Sequence, residues 1–148
     1  MFILTFAVIG LSVFFYLSGM KTTLLFLSVF LSAGLFGQSP YVSNGIEYGQ
    51  KGEYQEAIDD FTSAIKINPE LALAYNNRGI AYGNLGKVQE AIDDFNIAVK
   101  MNPDDANAYY YRGISKAYLS IEYCSDFKKA CELGNESGCQ NFKIGNCN

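Results

Sequence analysis

The sequence contains no histidine and no tryptophan, no run of basic residues, and almost no charge in its first quarter. Without histidine it lacks the commonest general base and the commonest protein ligand for metals. Phosphate neutralisation needs clustered Lys and Arg, so nucleic acid is not an expected partner. Acidic residues are missing from the first 38 positions altogether. All fifteen lie beyond Gln38, with ten of the eleven basic residues, so the formal charge of −4 becomes about −5 for that portion. A chain of 148 residues accommodates one domain with a modest core, too small to enclose a large cavity.

What is present at the N-terminus is apolar. Residues 1–37 carry one charge, Lys21, between the runs Phe2 to Leu17 and Leu24 to Phe36. From Met20 onward there is a short basic segment, an apolar stretch of about a dozen residues, and Gly37 before Gln38, the layout of a secretory signal peptide. Residues 1–19 then read as an upstream extension. A retained transmembrane anchor is the competing reading, because the first run is near the lower length limit for a span. A buried core helix is the third. Both leading readings target the chain to a membrane.

The remainder repeats itself at one constant offset. Ala57-Ile58-Asp59-Asp60-Phe61 through Asn68-Pro69 aligns with Ala91-Ile92-Asp93-Asp94-Phe95 through Asn102-Pro103, and upstream Tyr41, Gly45, Tyr48 and Gly52 align with Tyr75, Gly79, Tyr82 and Gly86. A third copy opens with Tyr109, Arg112 and Gly113, is shortened near Leu119, and rejoins at Asp126-Phe127-Lys128-Lys129-Ala130. This pattern resembles the tetratricopeptide-repeat (TPR) family over residues 38 to about 137. It implies an all-α fold: a short α-solenoid of helix-turn-helix repeats over 38–71 and 72–105, a degenerate repeat over 106–137, and a capping helix over 138–148. The apolar spacing agrees, with two helical blocks per repeat split by a Gly-containing turn. Gly45, Ala57, Gly79 and Ala91 are the small residues expected where paired helices approach. Tyr48, Phe61, Tyr82 and Phe95 fill the space between them, and each Asn-Pro ends a second helix. In the third copy Tyr123 takes the place of the small Ala. Such hairpins cannot bury their apolar faces alone, and about three are the usual minimum, so the degraded C-terminal end needs support.

The four cysteines, Cys124, Cys131, Cys139 and Cys147, all lie beyond Tyr123. An even count in an exported chain favours disulfides. The spacing lacks the short C-x2-C pair of zinc sites, and nothing nearby is placed to activate a thiol for redox work. The sequence predicts one helix over 122–133, a stop at Gly134-Asn135, and a second helix over 136–146. Facing residues of an antiparallel hairpin keep a nearly constant sum of residue numbers. Cys131–Cys139 and Cys124–Cys147 give 270 and 271, against 263 and 278 for the crossed pairs. Two nested bridges are therefore expected. The string ACELGNESGC also resembles secreted bacterial Sel1-like repeat proteins, in which cysteines spaced this way clip adjacent helices.

The paired acids Asp59-Asp60 and Asp93-Asp94 diverge by about 100° on a helix, so they do not converge on a catalytic point. Asp60 and Asp94 are expected to pair with Arg78 and Arg112, with Asp59 and Asp93 solvated. An enzyme would need a nucleophile beside a base, and none is found. A cysteine-rich helical-repeat hydrolase is the rival reading, but no enzymatic activity, metal or cofactor is expected. The TPR resemblance implies a groove on the inner face of the first helices, formed by Val42, Ile46, Gly49, Leu73, Asn76, Asn77, Ile80, Asn84, Asn107 and Tyr110. Of Tyr109, Tyr110 and Tyr111, Tyr110 is the one expected to be exposed there. TPR co-chaperones grip a carboxylate with Lys and Arg at some of these slots. Here Val42, Asn107 and Tyr111 stand there and only Asn77 matches, so that mode is not expected. The expected role is a non-enzymatic protein-interaction scaffold, binding a peptide or helix outside the cytoplasm, in the bacterial periplasm or beyond the cell. The alternative is a membrane-anchored assembly factor of the envelope, touching the membrane only through its N-terminal segment.

Overall fold

A computed structural model describes residues 39–145 and Cys147. The hydrophobic segment 1–37, with its signal-peptide and anchor readings, lies outside the described residues. Among these there are seven helices and no strand: α1 Pro40–Lys51, α2 Tyr54–Ile67, α3 Ala72–Asn84, α4 Val88–Met101, α5 Ala106–Tyr118, α6 Cys124–Glu132 and α7 Glu136–Ile144. Each helix packs on the next, and the fold is a TPR-like helical solenoid.

The turns inside the hairpins share one construction. The amides of Glu53, Lys87, Ile121 and Asn135 each donate to a carbonyl five residues back, at 2.9 Å in every case. This closure requires a left-handed residue just before the donor. Gly52 (φ 81°), Gly86 (φ 75°) and Gly134 (φ 92°) supply it without a steric penalty, whereas Ser120 (φ 57°) supplies it with one.

Inside each hairpin a glycine faces a phenylalanine. An added Cβ on Gly45, Gly79 or Gly113 would lie 2.8, 2.9 or 2.7 Å from the ring of Phe61, Phe95 or Phe127, respectively. The rings are buried, and Ala57, Ala64, Ala91 and Ala98 complete the close contact. The third hairpin keeps its Gly–Phe contact although its second helix has 9 residues where α2 and α4 have 14. The missing turn is the first one. Tyr123 therefore stands at the helix entrance rather than between helices, with its ring 5.5 Å edge-on to Phe127. The start at Cys124, later than the expected 122, follows from Glu122, whose carboxylate accepts from Ser125 N and Oγ at 3.0 and 2.9 Å. These bonds hold the Glu122 carboxyl below its usual range.

The expected ion pairs form between different partners. Arg78 pairs with Asp94, not Asp60, its Nε and Nη2 donating at 2.7 and 2.8 Å. Arg112 pairs with Asp126, not Asp94, at 2.5 Å, and Lys116 joins the same carboxylate at 2.7 Å. Each pair closes within one hairpin, because the arginine precedes the glycine and the aspartate precedes the phenylalanine that meets it. Hydrogen bonding to Asp94 holds the Arg78 guanidinium above its usual value, against the opposing effect of burial. Asp59 and Asp93 are exposed.

Two disulfides close the C-terminal end, Cys124–Cys147 and Cys131–Cys139, with Cα–Cα distances of 5.3 and 4.5 Å. The inner bridge ties α6 to α7 beside Gly138, whose missing Cβ lets Ala130 approach.

Candidate functional site

The first helices of the hairpins, α1, α3 and α5, present their inner faces side by side. Two hollows lie along them. The first, of about 290 Å³, is lined by Gly45, Ile46, Gly49, Gln50, Tyr54, Phe61, Asn77, Ile80, Ala81 and Asn84. The second, of about 380 Å³, is lined by Gly79, Ile80, Gly83, Asn84, Gly86, Val88, Phe95, Tyr111, Ile114, Ser115 and Tyr118. Each residue lining the first has its counterpart, one repeat on, lining the second. The two are one site built twice, joined through Ile80 and Asn84. The small residues make the hollows: Gly49 and Gly83 have nothing within 4 Å of where a side chain would begin.

The chemistry changes along the site. Gln50, Asn77 and Asn84 give the first hollow an amide wall. Asn77 and Asn84 donate their Nδ2 hydrogens to the Leu73 and Ile80 carbonyls, both at 2.9 Å, which leaves each Oδ1 as an acceptor. In the second hollow Tyr111 and Tyr118 stand where Asn77 and Asn84 stood, and Ile114 is 40 % exposed. No charged residue lines either hollow.

Of the expected groove residues, Ile46, Gly49, Asn77, Ile80 and Asn84 are brought together here. Val42 and Asn76 are buried in helix packing instead, and Asn76 Nδ2 donates to Asp105 Oδ2 at 3.2 Å. Leu73 is exposed away from both hollows, and exposed Asn107 accepts from Asn135 Nδ2 at 3.0 Å. Tyr110 is a correction: it is half-buried against Phe127 and Tyr111, with centroids 6.1 and 5.3 Å apart, and lines neither hollow. Val42, Asn76 and Tyr110 share one slot of the repeat, and that slot faces the neighbouring helices. Tyr111, Ile114, Ser115 and Tyr118 are absent from the expected set. The repeat itself could have found them, because they are Asn77, Ile80, Ala81 and Asn84 moved on by one copy.

Stacked helical hairpins with a hollow repeated at the repeat length define an α-solenoid of the protein-interaction class. Family models described as TPR repeat and tetratricopeptide repeat match residues 45–86 and 72–105. The first TPR of Spaghetti (RPAP3) bound to the HSP90 peptide SRMEEVD is 30% identical, with 70% of this chain and 88% of that one covered and a TM-score of 0.67. The second TPR domain of human RPAP3 in complex with the HSP70 peptide SGPTIEEVD is 26% identical, with 70% and 90% covered and a TM-score of 0.66. The TPR2B domain of yeast Sti1, in its pHsp70 complex, is 28% identical, with 70% and 88% covered and a TM-score of 0.61. The chain belongs to the tetratricopeptide-repeat family. The matched models end before the cysteines, and neither carries the Sel1-like resemblance. No curated protein matches the chain. Among the described residues, no helix is long and apolar enough to cross a membrane, and no group of acidic or sulfur ligands is gathered for a metal.

Proposed function

We propose that the chain is a non-enzymatic scaffold acting outside the cytoplasm, and that its doubled hollow holds a peptide segment of another protein. The observation that carries this reading is the complete repetition of an uncharged site. A segment lying along it meets amide acceptors first, suited to backbone N–H groups, and then an aromatic and aliphatic surface suited to an apolar side chain. The relatives' peptides support a peptide as the ligand, but SRMEEVD and SGPTIEEVD are acidic, and this lining offers no cation to such a tail. The preferred segment is therefore uncharged, with an aromatic or branched residue at its second contact. The signal-like N-terminus and the fully paired cysteines favour export. The length of the first apolar run favours a second reading, a retained anchor holding the domain outside the membrane.

Peptides selected on the oxidised protein should be neutral and apolar, and Ile80→Asp, which puts a charge into both hollows, should weaken them at least tenfold. Equal binding to that variant, or preference for an acidic C-terminal tail, sinks the reading. N-terminal sequencing of exported protein decides release: a start at Gln38 supports secretion, and an intact Met1 or Met20 excludes it.

A further inference from the structure

Arg78 occupies a site made by its own hairpin and the one before it. Besides the two bonds to Asp94, its Nη1 donates to Thr62 Oγ1 at 3.0 Å. Its guanidinium carbon lies 5.5 Å from the ring centroid of Tyr75 and 5.8 Å from that of Tyr82. Arg112 repeats the arrangement one hairpin on, with Asp126, Asn96 Oδ1 at 2.9 Å, and the Tyr109 ring at 5.3 Å. Bidentate carboxylate contact combined with aromatic faces is what a planar guanidinium fits and a point-charge ammonium does not.

One repeat before Arg78 stands Asn44, and three of the groups that surround the arginine recur in its repeat. Tyr41 takes the slot of Tyr75, Tyr48 that of Tyr82, and Asp60 that of Asp94. Asn44 is exposed and carries no charge. Asp60 is only partly buried, unlike Asp94 and Asp126, and its Oδ2 has no hydrogen-bond partner among the described residues. Tyr41 is 39 % exposed, whereas Tyr75 and Tyr109 are packed against the core. Lys51 lies 5.9 Å from the Tyr48 ring but is paired with Glu47 at 2.6 Å. It does not exhaust that ring, because Tyr82 holds Lys87 at 5.8 Å as well as Arg78.

We infer that Tyr41, Tyr48 and Asp60 form a guanidinium site at the N-terminal end of the array, completed by an arginine side chain of a partner protein. The arginine has to come from another kind of molecule. The chain has two arginines, Arg78 and Arg112, and both are consumed by Asp94 and Asp126, so neither this chain nor a second copy can supply it. None of the three residues lines the doubled hollow, so the inference stands apart from the peptide reading.

The test is a ¹H–¹⁵N titration of the full oxidised chain in detergent with N-acetyl-arginine amide, and with N-acetyl-lysine amide as the comparison. Saturable shifts should cluster at Tyr41, Asn44, Tyr48 and Asp60, with the lysine probe several-fold weaker. Asp60→Asn should abolish them. Asn44→Arg should fill the site from within, raising Tm and removing the response to the arginine probe. Absence of saturable shifts at these positions, equal response to both probes, or an undiminished response in Asp60→Asn or Asn44→Arg overturns the assignment.

Discussion

Two glycines one helical turn apart on α3 should respond to alanine with opposite signs. A Cβ on Gly79 would sit 2.9 Å from Phe95 Cε1 and 3.1 Å from both Cδ1 and Cζ. Carbon atoms prefer about 3.5–4.0 Å, so the ring would have to retreat by roughly half an ångström or more. Phe95 is 1 % exposed, so its retreat would disturb the side chains packed on it. Overpacking of this kind costs about 1–3 kcal/mol, against about 0.5–1 kcal/mol gained when alanine replaces glycine in a helix. Gly79→Ala should therefore lose about 1–2 kcal/mol, the difference between those two effects. Gly83 has open space within 4 Å of its Cβ position, so Gly83→Ala keeps the helix gain, about 0.5 kcal/mol so near the helix end. The two variants should differ by roughly 2 kcal/mol in urea unfolding followed by circular dichroism. Because Gly83 lines the second hollow, its variant should also bind selected peptides more weakly while being the more stable protein. Equal midpoints for the two variants, or a stabilised Gly79→Ala, would refute the packing argument.

The left-handed Ser120 predicts that Ser120→Gly raises stability by about 0.5–1 kcal/mol, while Gly86→Ser at the equivalent turn lowers it by about 1 kcal/mol. Thermal melts of both variants check this, and neutrality in both would disprove a strained turn at Ser120. The outer disulfide, with a sequence separation of 23, contributes about 3 kcal/mol by loop-closure entropy. In the Cys124→Ser, Cys147→Ser double variant, amide exchange should rise in α6 and α7 and stay unchanged in α1 to α4. Unchanged exchange in α7 would show that packing alone holds it.

The repeat register and the cysteine pairing are legible in the sequence because both depend on periodicity alone. A constant offset marks equivalent slots, and antiparallel helices fix which cysteines face each other. Which slot faces which neighbour is a different kind of information. The sequence reading sends each arginine back to the aspartate of the preceding repeat, Arg78 to Asp60 and Arg112 to Asp94. In the fold each reaches forward instead, to the aspartate of its own hairpin. The discriminating signal is the Gly–Phe contact of each hairpin, which aligns Arg78 with Asp94 and Arg112 with Asp126. Tyr110 misleads for a similar reason. Adjacent helical residues point about 100° apart, so a reading one position off exchanges the hollow's Tyr111 for a residue packed on Phe127.

The first and last described hairpins differ in how they are held and in how their inner acid is neutralised. At the C-terminal end the only fully buried residue of α7 among those described is Gly138, which has no side chain to pack, so apolar packing is a weak attachment and two covalent bridges carry it. The same end over-neutralises its buried acid: Asp126, 2 % exposed, meets both Arg112 and Lys116, where Asp94 has Arg78 alone. Lys116 stands in the slot that Tyr82 fills one repeat earlier, and its second cation suits a carboxylate this deeply buried. In the first described hairpin the arginine slot holds Asn44, Asp60 Oδ2 has no partner, and Tyr41 is exposed. Satisfied cations thus fall from two to one to none, from the last hairpin to the first, among the described residues.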